Sequence, residues 1–177
     1  FKTVNYEISD GTEKNLKIID ITVTEKPTGE ISAGAGFGTN GGTFAAGIKE
    51  NNWLGNGQSV AFNIDVDEES LSGVLRFTDP NYNFLGNSLS YAIASEDNDK
   101  PDQGYENSIV SGSIGTSFEQ YKDLNASLGL SASYDDLSTT SGASDALKKQ
   151  SGSFSELAFN YGFSFDQRNR AFMPTSG

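Results

Sequence analysis

Strict period-two alternation runs through this chain and leaves it little choice of fold. The cleanest run sets Leu157, Phe159, Tyr161, Phe163 and Phe165 against Glu156, Ala158, Asn160, Gly162 and Ser164. Leu124, Ala126, Leu128, Leu130, Ala132 and Tyr134 alternate in the same way with Asn125, Ser127, Gly129, Ser131 and Ser133. So do Val60, Phe62, Ile64 and Val66 with Ser59, Ala61, Asn63 and Asp65, and Leu89, Tyr91 and Ile93 with Ser88, Ser90, Ala92 and Ala94. Successive side chains of a strand point to opposite faces, so each run reads as a strand with one apolar and one small, polar face. Helical spacing fits none of them. Weaker runs at about 29–38, 42–50, 70–78 and 105–118 bring the expected strand count to eight. Most are about the 9–11 residues that a tilted strand needs to cross a bilayer. The one helix-like stretch, Ala143 to Gln150, is short, flanked by Ser and Gly, and is expected to belong to a loop.

The connections are expected to alternate between tight and loose. The tight ones are Asn51–Gly57, Asp79–Asn87, Glu119–Asp123 and Phe172–Gly177; the loose, polar ones run from Glu96 to Glu106 and from Asp135 to Gly152. Hairpins short at one end and long at the other are the habit of transmembrane β-barrels. Trp53, Tyr82, Phe84, Tyr121 and Phe172 lie in or beside the short turns, and Tyr105, Tyr134 and Phe154 near the opposite strand ends. Two aromatic levels bracketing an apolar band match the two interfaces of a bilayer, so the first five are expected to be membrane-interface anchors. A soluble antiparallel sandwich would carry the same apolar face, but would coat its outer face with Lys, Glu and Thr. Here the second face is mostly Ser, Gly, Asn and Ala, and the strands follow one another as hairpins without a Greek-key return.

Composition removes several kinds of function. There is no histidine and no cysteine, which eliminates imidazole acid–base chemistry, disulfides and thiolate metal sites. A net charge of −12 argues against a nucleic-acid partner. No apolar run approaches the roughly 20 residues of a spanning helix, so a membrane crossing would have to be made by strands. Gly36-Phe37-Gly38-Thr39-Asn40-Gly41 has the spacing of a dinucleotide loop, but a further strand pattern follows it instead of a helix. Asp97, Asp99, Asp102 and Glu106 fail the calcium-loop spacing and are interrupted by Pro101; they read as a solvated acidic loop. No nucleophile elbow or isolated carboxylate pair stands out, so the chain is expected to be neither an enzyme nor a cofactor binder.

The first 27 residues differ in character. Val4–Ile8 and Leu16–Val23 form two expected strands joined by a polar turn, richer in Lys and Glu than the later ones, and Lys26-Pro27-Thr28-Gly29 marks a boundary. Together with the absence of an initiator Met and the ending in Pro174-Thr175-Ser176-Gly177, this leads to the expectation that the chain is a piece of a longer protein.

At particular residues the chain resembles the BamA family of bacterial outer-membrane protein assembly factors. These are Phe1-Lys2-Thr3-Val4, Val23–Gly29 running into Gly34–Thr39, Glu50-Asn51-Asn52-Trp53-Leu54-Gly55-Asn56-Gly57, Phe77-Thr78-Asp79-Pro80, and Phe159–Phe165 followed by Asp166, Arg168 and Pro174–Gly177. They occur in the family's order and cover nearly the whole chain. The resemblance implies an all-β fold: residues 1–27 as the end of the last POTRA domain, in the periplasm, and residues 28–177 as about eight strands of a sixteen-stranded outer-membrane barrel. It implies that the short turns face the periplasm. It implies as partners the outer-membrane lipid, unfolded β-barrel client proteins and accessory assembly lipoproteins, with no cofactor. It also implies a lateral seam at the first barrel strand, Gly29, Glu30, Ile31, Ser32, Ala33, Gly34, Ala35, Gly36, Phe37 and Gly38, where a client strand would pair. Glycines in that strand either weaken the seam or permit the barrel to bend, and the residues alone leave both open. The other readings are a passive outer-membrane channel or transporter, and a small complete eight-stranded barrel. With two unpaired barrel edges the fragment is not expected to fold stably alone.

Overall fold

The computed structural model describes residues 1–13, 15–38 and 41–177. Among them β1 (Thr3–Asp10) and β2 (Lys17–Thr24) pair with each other in a two-stranded antiparallel sheet. The rest of the strands form one eight-stranded antiparallel sheet: β3 (Gly29–Gly38), β4 (Gly41–Trp53), β5 (Gln58–Asp67), β6 (Ser70–Asp79), β7 (Ser88–Lys100), β8 (Tyr105–Tyr121), β9 (Leu124–Thr139) and β10 (Gly152–Phe165). Each pairs with its neighbours in sequence, so the spatial order is the chain order and β3 and β10 are the two edges. The eight alternating runs are therefore eight strands in simple hairpin succession.

The register aligns the apolar positions across the whole sheet. One row reads Ile31, Ile48, Phe62, Leu75, Ile93, Gly112, Ala132, Leu157, each opposite the next. The row nearer the other end reads Gly29, Glu50, Val60, Phe77, Tyr91, Ile114, Leu130, Phe159, and the Phe77 and Tyr91 rings lie 6.1 Å apart. Cross-strand aromatic and aliphatic pairs of this kind fix register. The opposite face carries Ser, Gly, Ala, Asn and a few charges. Nothing covers the apolar face: among the described residues only Ala126 and Ala143 are buried apolar residues, while Leu157, Phe159, Tyr161, Phe163 and Phe165 all stay largely exposed. A soluble sandwich would bury that face against a second sheet. This sheet is a single layer whose apolar side needs a non-aqueous neighbour.

The connections differ from the expected tight-and-loose alternation. Glu96–Asp99 and Asp135–Asp136, expected in long loops, continue the ladders of β7 and β9: Asp97 is opposite Ser108, Asp99 opposite Glu106, and Asp136 opposite Ser153. Backbone pairing does not require apolar side chains, so strands extend past the apolar band and rise above it as polar ribbons. Pro101–Gly104 then closes the β7–β8 hairpin tightly. Only the β9–β10 connection, 140–151, is long, and it contains a single helical turn, α1 (Asp145–Lys148), capped by the Ser144 hydroxyl, which accepts from the Leu147 N–H at 3.2 Å. Conversely, the β6–β7 connection at the supposedly tight end spans residues 80–87. The Gly36–Gly41 motif runs from β3 into β4, strand to strand; Thr39 and Asn40 lie outside the described residues.

Candidate functional site

All ten seam residues, Gly29 to Gly38, form one uninterrupted edge strand, fully exposed along its length. Its hydrogen-bonding parity follows from one contact. The Asn51 N–H donates to the Thr28 carbonyl at 3.3 Å, and these two residues are opposite in the register that pairs Gly29 with Glu50. Bonded and non-bonded pairs alternate along an antiparallel ladder. Glu30, Ser32, Gly34, Gly36 and Gly38 therefore bond to β4, while Gly29, Ile31, Ala33, Ala35 and Phe37 turn their N–H and C=O groups to the open edge. The same alternation sorts the side chains: Ile31, Ala33, Ala35 and Phe37 share the apolar face, and Glu30, Ser32, Gly34, Gly36 and Gly38 the polar one.

The glycines of β3 are not required by backbone shape, since none has a left-handed φ. A Cβ at Gly34 or Gly38 would meet nothing within 4 Å, and at Gly36 only the Thr43 hydroxyl at 3.1 Å. Their effect is to leave the polar side of the edge strand bare, so this strand holds its neighbour by backbone bonds with little side-chain support.

Side chains do fasten the strand at one end. Thr28 donates its hydroxyl to Glu50, whose Oε1 also accepts from the Asn52 N–H at 2.8 Å. The Asn51 amide donates to the Thr28 carbonyl at 3.1 Å and to Glu30 Oε1 at 2.8 Å. This clasp joins the segment after β2 to the base of the β3–β4 hairpin. Sequence reading missed it, because it depends on a register that spacing alone does not reveal.

The five aromatic residues expected at the interface lie at one end of the sheet, where β4 meets β5, β6 meets β7, β8 meets β9, and the chain continues beyond β10. Two of them get there through bulges. Glu50 is opposite Val60 but Trp53 is opposite Gln58, so Asn51 and Asn52 face a single residue. Glu119 is opposite Asn125 but Tyr121 is opposite Leu124, leaving Gln120 extra. In an unbulged strand of the same sequence Trp53 and Tyr121 would point to the polar face; each bulge turns its aromatic ring onto the apolar one. Tyr82 and Phe84 occupy the β6–β7 connection, and Phe172 follows β10. Each of these four segments also holds one non-glycine residue with a left-handed φ: Leu54, Phe84, Asp123 and Met173. At the opposite end Tyr134 is on the apolar face. Tyr105 and Phe154, expected at the same level, share the parity of Lys100 and Asp135 and lie on the polar face. That second aromatic level is therefore thinner than the sequence indicated.

Charge is concentrated where the strands outrun the apolar band. Lys100 and Glu69, both partly buried, pair at 2.6 Å and tie the β5–β6 turn to the end of β7. Beyond β10, Asp166 accepts from the Arg168 guanidinium, one bond measuring 2.8 Å, and from the Arg168 N–H at 3.0 Å, which holds its carboxyl down to about 2.

Residues 52–177 match the model of the Omp85 superfamily domain. Over 113 residues, 63% of this chain, the sequence is 29% identical to the outer membrane protein assembly factor BamA of Neisseria meningitidis serogroup B. The crystal structure of BamA from Haemophilus ducreyi lacking POTRA domains 1–3 superposes on the whole chain with a TM-score of 0.77 at 24% identity. The chain spans 13% of the Neisseria protein and 37% of the Haemophilus chain. The eight-stranded sheet with its one apolar face is thus part of a larger barrel wall, and the chain belongs to the Omp85 superfamily.

Proposed function

We propose that this chain is the amino-terminal wall of an outer-membrane β-barrel assembly factor. In it β3 serves as the template on which an incoming client strand pairs. The observation that carries this reading is the β3 edge: N–H and C=O groups of Gly29, Ile31, Ala33, Ala35 and Phe37 point away from β4 along a strand with almost no side-chain support. Such an edge adds strands by β-augmentation, with main-chain bonds supplying the affinity. Inside a bilayer, where water cannot satisfy those groups, the drive to pair is stronger. The same edge pairs with the final strand of a closed barrel and with a client in turn.

The apolar face contacts outer-membrane lipid, with Trp53, Tyr82, Phe84, Tyr121 and Phe172 at the periplasmic interface. Residues 1–27, carrying β1 and β2, close a POTRA domain in the periplasm, and the clasp of Thr28, Glu30, Glu50 and Asn51 sets their junction with the wall. Unfolded barrel proteins are the clients and accessory lipoproteins the co-workers. The work is strand pairing, without catalysis or cofactor. Assembly is favoured over a passive channel because the Neisseria relative is an assembly factor by name. The test is cysteine crosslinking from Ile31, Ala33 or Phe37 of the full-length protein to a stalled client. Crosslinks from these positions, and not from the polar-face positions of β6, are expected; their absence beside a working control would remove the template assignment.

A further inference from the structure

Only three cations lie on the eight strands of the wall, Lys49, Arg76 and Lys100. Lys100 is paired with Glu69; Lys49 and Arg76 have neither an ion pair nor a hydrogen bond among the described residues. Their positions are matched. Lys49 is opposite Ala61 and Ala61 opposite Arg76, so both cations stand on one row of the polar face, two strands apart. At the usual strand spacing their backbones are about 10 Å apart. The alanine methyl between them neither fills nor screens the gap, and both stems are long enough to lean over it.

The acid on that row is Glu30, opposite Lys49; its Oε1 accepts from the Asn51 amide at 2.8 Å, and it makes no ion pair with the lysine among the described residues. Around the cations the wall forms an open groove of about 700 Å³, in which Ser59, Asn63 and Thr78 present side-chain polar groups without partners among the described residues. The polar-face acids of neighbouring strands, Asp65, Asp67 and Glu96, lie nearer the opposite end. On β4 to β7 the polar face thus has its unpaired cations nearer the periplasmic turns and its acids toward the far rim; Glu119 of β8 is a polar-face acid at the turn end, four strands from Lys49.

Two like charges on one row repel, and the arrangement is stabilised when an anion bridges them. We infer that the Lys49–Arg76 groove is a binding site for the carboxylate of an acidic polypeptide segment lying against the inner face of the wall. The guanidinium would accept it in fork geometry, the ammonium as a point charge. A peptide fits better than a lipid headgroup because the groove is on the face turned away from lipid. Its donors and acceptors at Ser59, Asn63 and Thr78 also suit a peptide backbone. The inference rests on the barrel orientation proposed above but not on strand templating by β3.

The test uses the full-length protein in zwitterionic nanodiscs. The probe is a fluorescent Gly/Ser dodecapeptide with four central glutamates, compared with its glutamine counterpart by anisotropy at low salt. The glutamate peptide is expected to bind about tenfold tighter than the glutamine one. That preference should vanish in Lys49→Gln/Arg76→Gln and survive in Lys49→Arg, with unheated gel mobility checking that each variant is folded. Equal binding of the two peptides, or an unchanged preference in the double glutamine variant, overturns the site. Displacement by millimolar inorganic phosphate, or by anionic lipid in the nanodisc, as effectively as by unlabelled peptide overturns its assignment to a polypeptide. Client crosslinking from Ala33 in the same double variant reports on templating separately and is expected to be unchanged.

Discussion

Replacing Ala33 by proline should block strand addition while leaving the β3–β4 hairpin intact, because the Ala33 N–H points to the open edge. Proline is tolerated on an edge strand where its missing N–H faces outward, and Ser32 before it is already extended. The neighbouring Gly34 has the opposite parity: its N–H belongs to the ladder with Ala45. An incoming strand opposite Ala33→Pro loses one donor and keeps an orphaned carbonyl, at roughly 1–3 kcal/mol. Within the hydrocarbon layer the upper end of that range applies. That corresponds to about a 5- to 150-fold loss in the pairing equilibrium. The assay is the disulfide yield between a cysteine at Ile31 of the full-length protein and the terminal strand of a stalled client, with backbone hydrogen exchange on β4 reporting hairpin integrity. Ala33→Pro should lose the crosslink and keep β4 protection; Gly34→Pro should lose both. If the two variants behave alike, or Ala33→Pro crosslinks like the parent, the assignment of open-edge groups is wrong.

Gly104 has φ +76°, and a Cβ there would come within 2.7 Å of the Ala143 backbone nitrogen, while its carbonyl accepts from the Thr140 N–H at 2.8 Å. Gly104→Ala should therefore lift the 140–151 connection off the β7–β8 turn at about 2–3 kcal/mol. Tryptic cleavage after Lys148 and Lys149 should rise at least tenfold while the strands stay protected; an unchanged rate would show that the contact holds nothing. Deleting Asn52 removes the bulge before Trp53 and leaves the ring two residues after Glu50, still opposite Gln58 and on the apolar face. A fluorophore on Trp53→Cys, quenched by spin-labelled lipid in the parent background, should therefore keep its quenching in the deletion variant, and loss of most of it would show that the ring's face does not follow this register. The Asp166 carboxyl, held at about 2 by Arg168, has a folded value below its ordinary one. Its contribution to order after β10 is therefore full above about pH 5 and fades as pH falls through that ordinary value toward 2. Arg168→Gln should return the carbon-detected Asp166 titration to the ordinary carboxylate range, and a midpoint still near 2 would exclude the guanidinium as the cause.

Alternation made the number of strands, their order and the apolar face legible in the sequence, because a pleat's period is fixed and each run had to choose a side. Strand ends were not legible. Asp97, Asp99, Asp135 and Asp136 look like loop residues by composition, yet backbone pairing continues through them since nothing in the ladder depends on side-chain polarity. The glycine-rich edge was visible, but which residues face outward depends on whether Thr28 and Asn51 form a bonded pair, and spacing does not carry that information. Tyr105 and Phe154 were misplaced for a related reason: closeness to a strand end says nothing about which face a side chain takes.

The two bulges show how parity and function meet in this wall. A regular strand cannot have both a polar residue facing inward at one row and an aromatic facing lipid an even number of residues later. Lys49 belongs on the inner face and in a regular strand Trp53, four residues on, would follow it there; the bulge at Asn51 and Asn52, two residues facing one, separates the two requirements. The stretch from Lys49 to Trp53 thus holds the inner-face cation, the Glu50–Asn51 clasp on Thr28 and Glu30, and a ring turned to lipid. Removing the extra residue Asn52 leaves the cation and the ring on their faces and withdraws only one N–H from Glu50, whereas substitutions at Lys49, Ala33 and Trp53 act separately on the inner-face charge, the open edge and the ring.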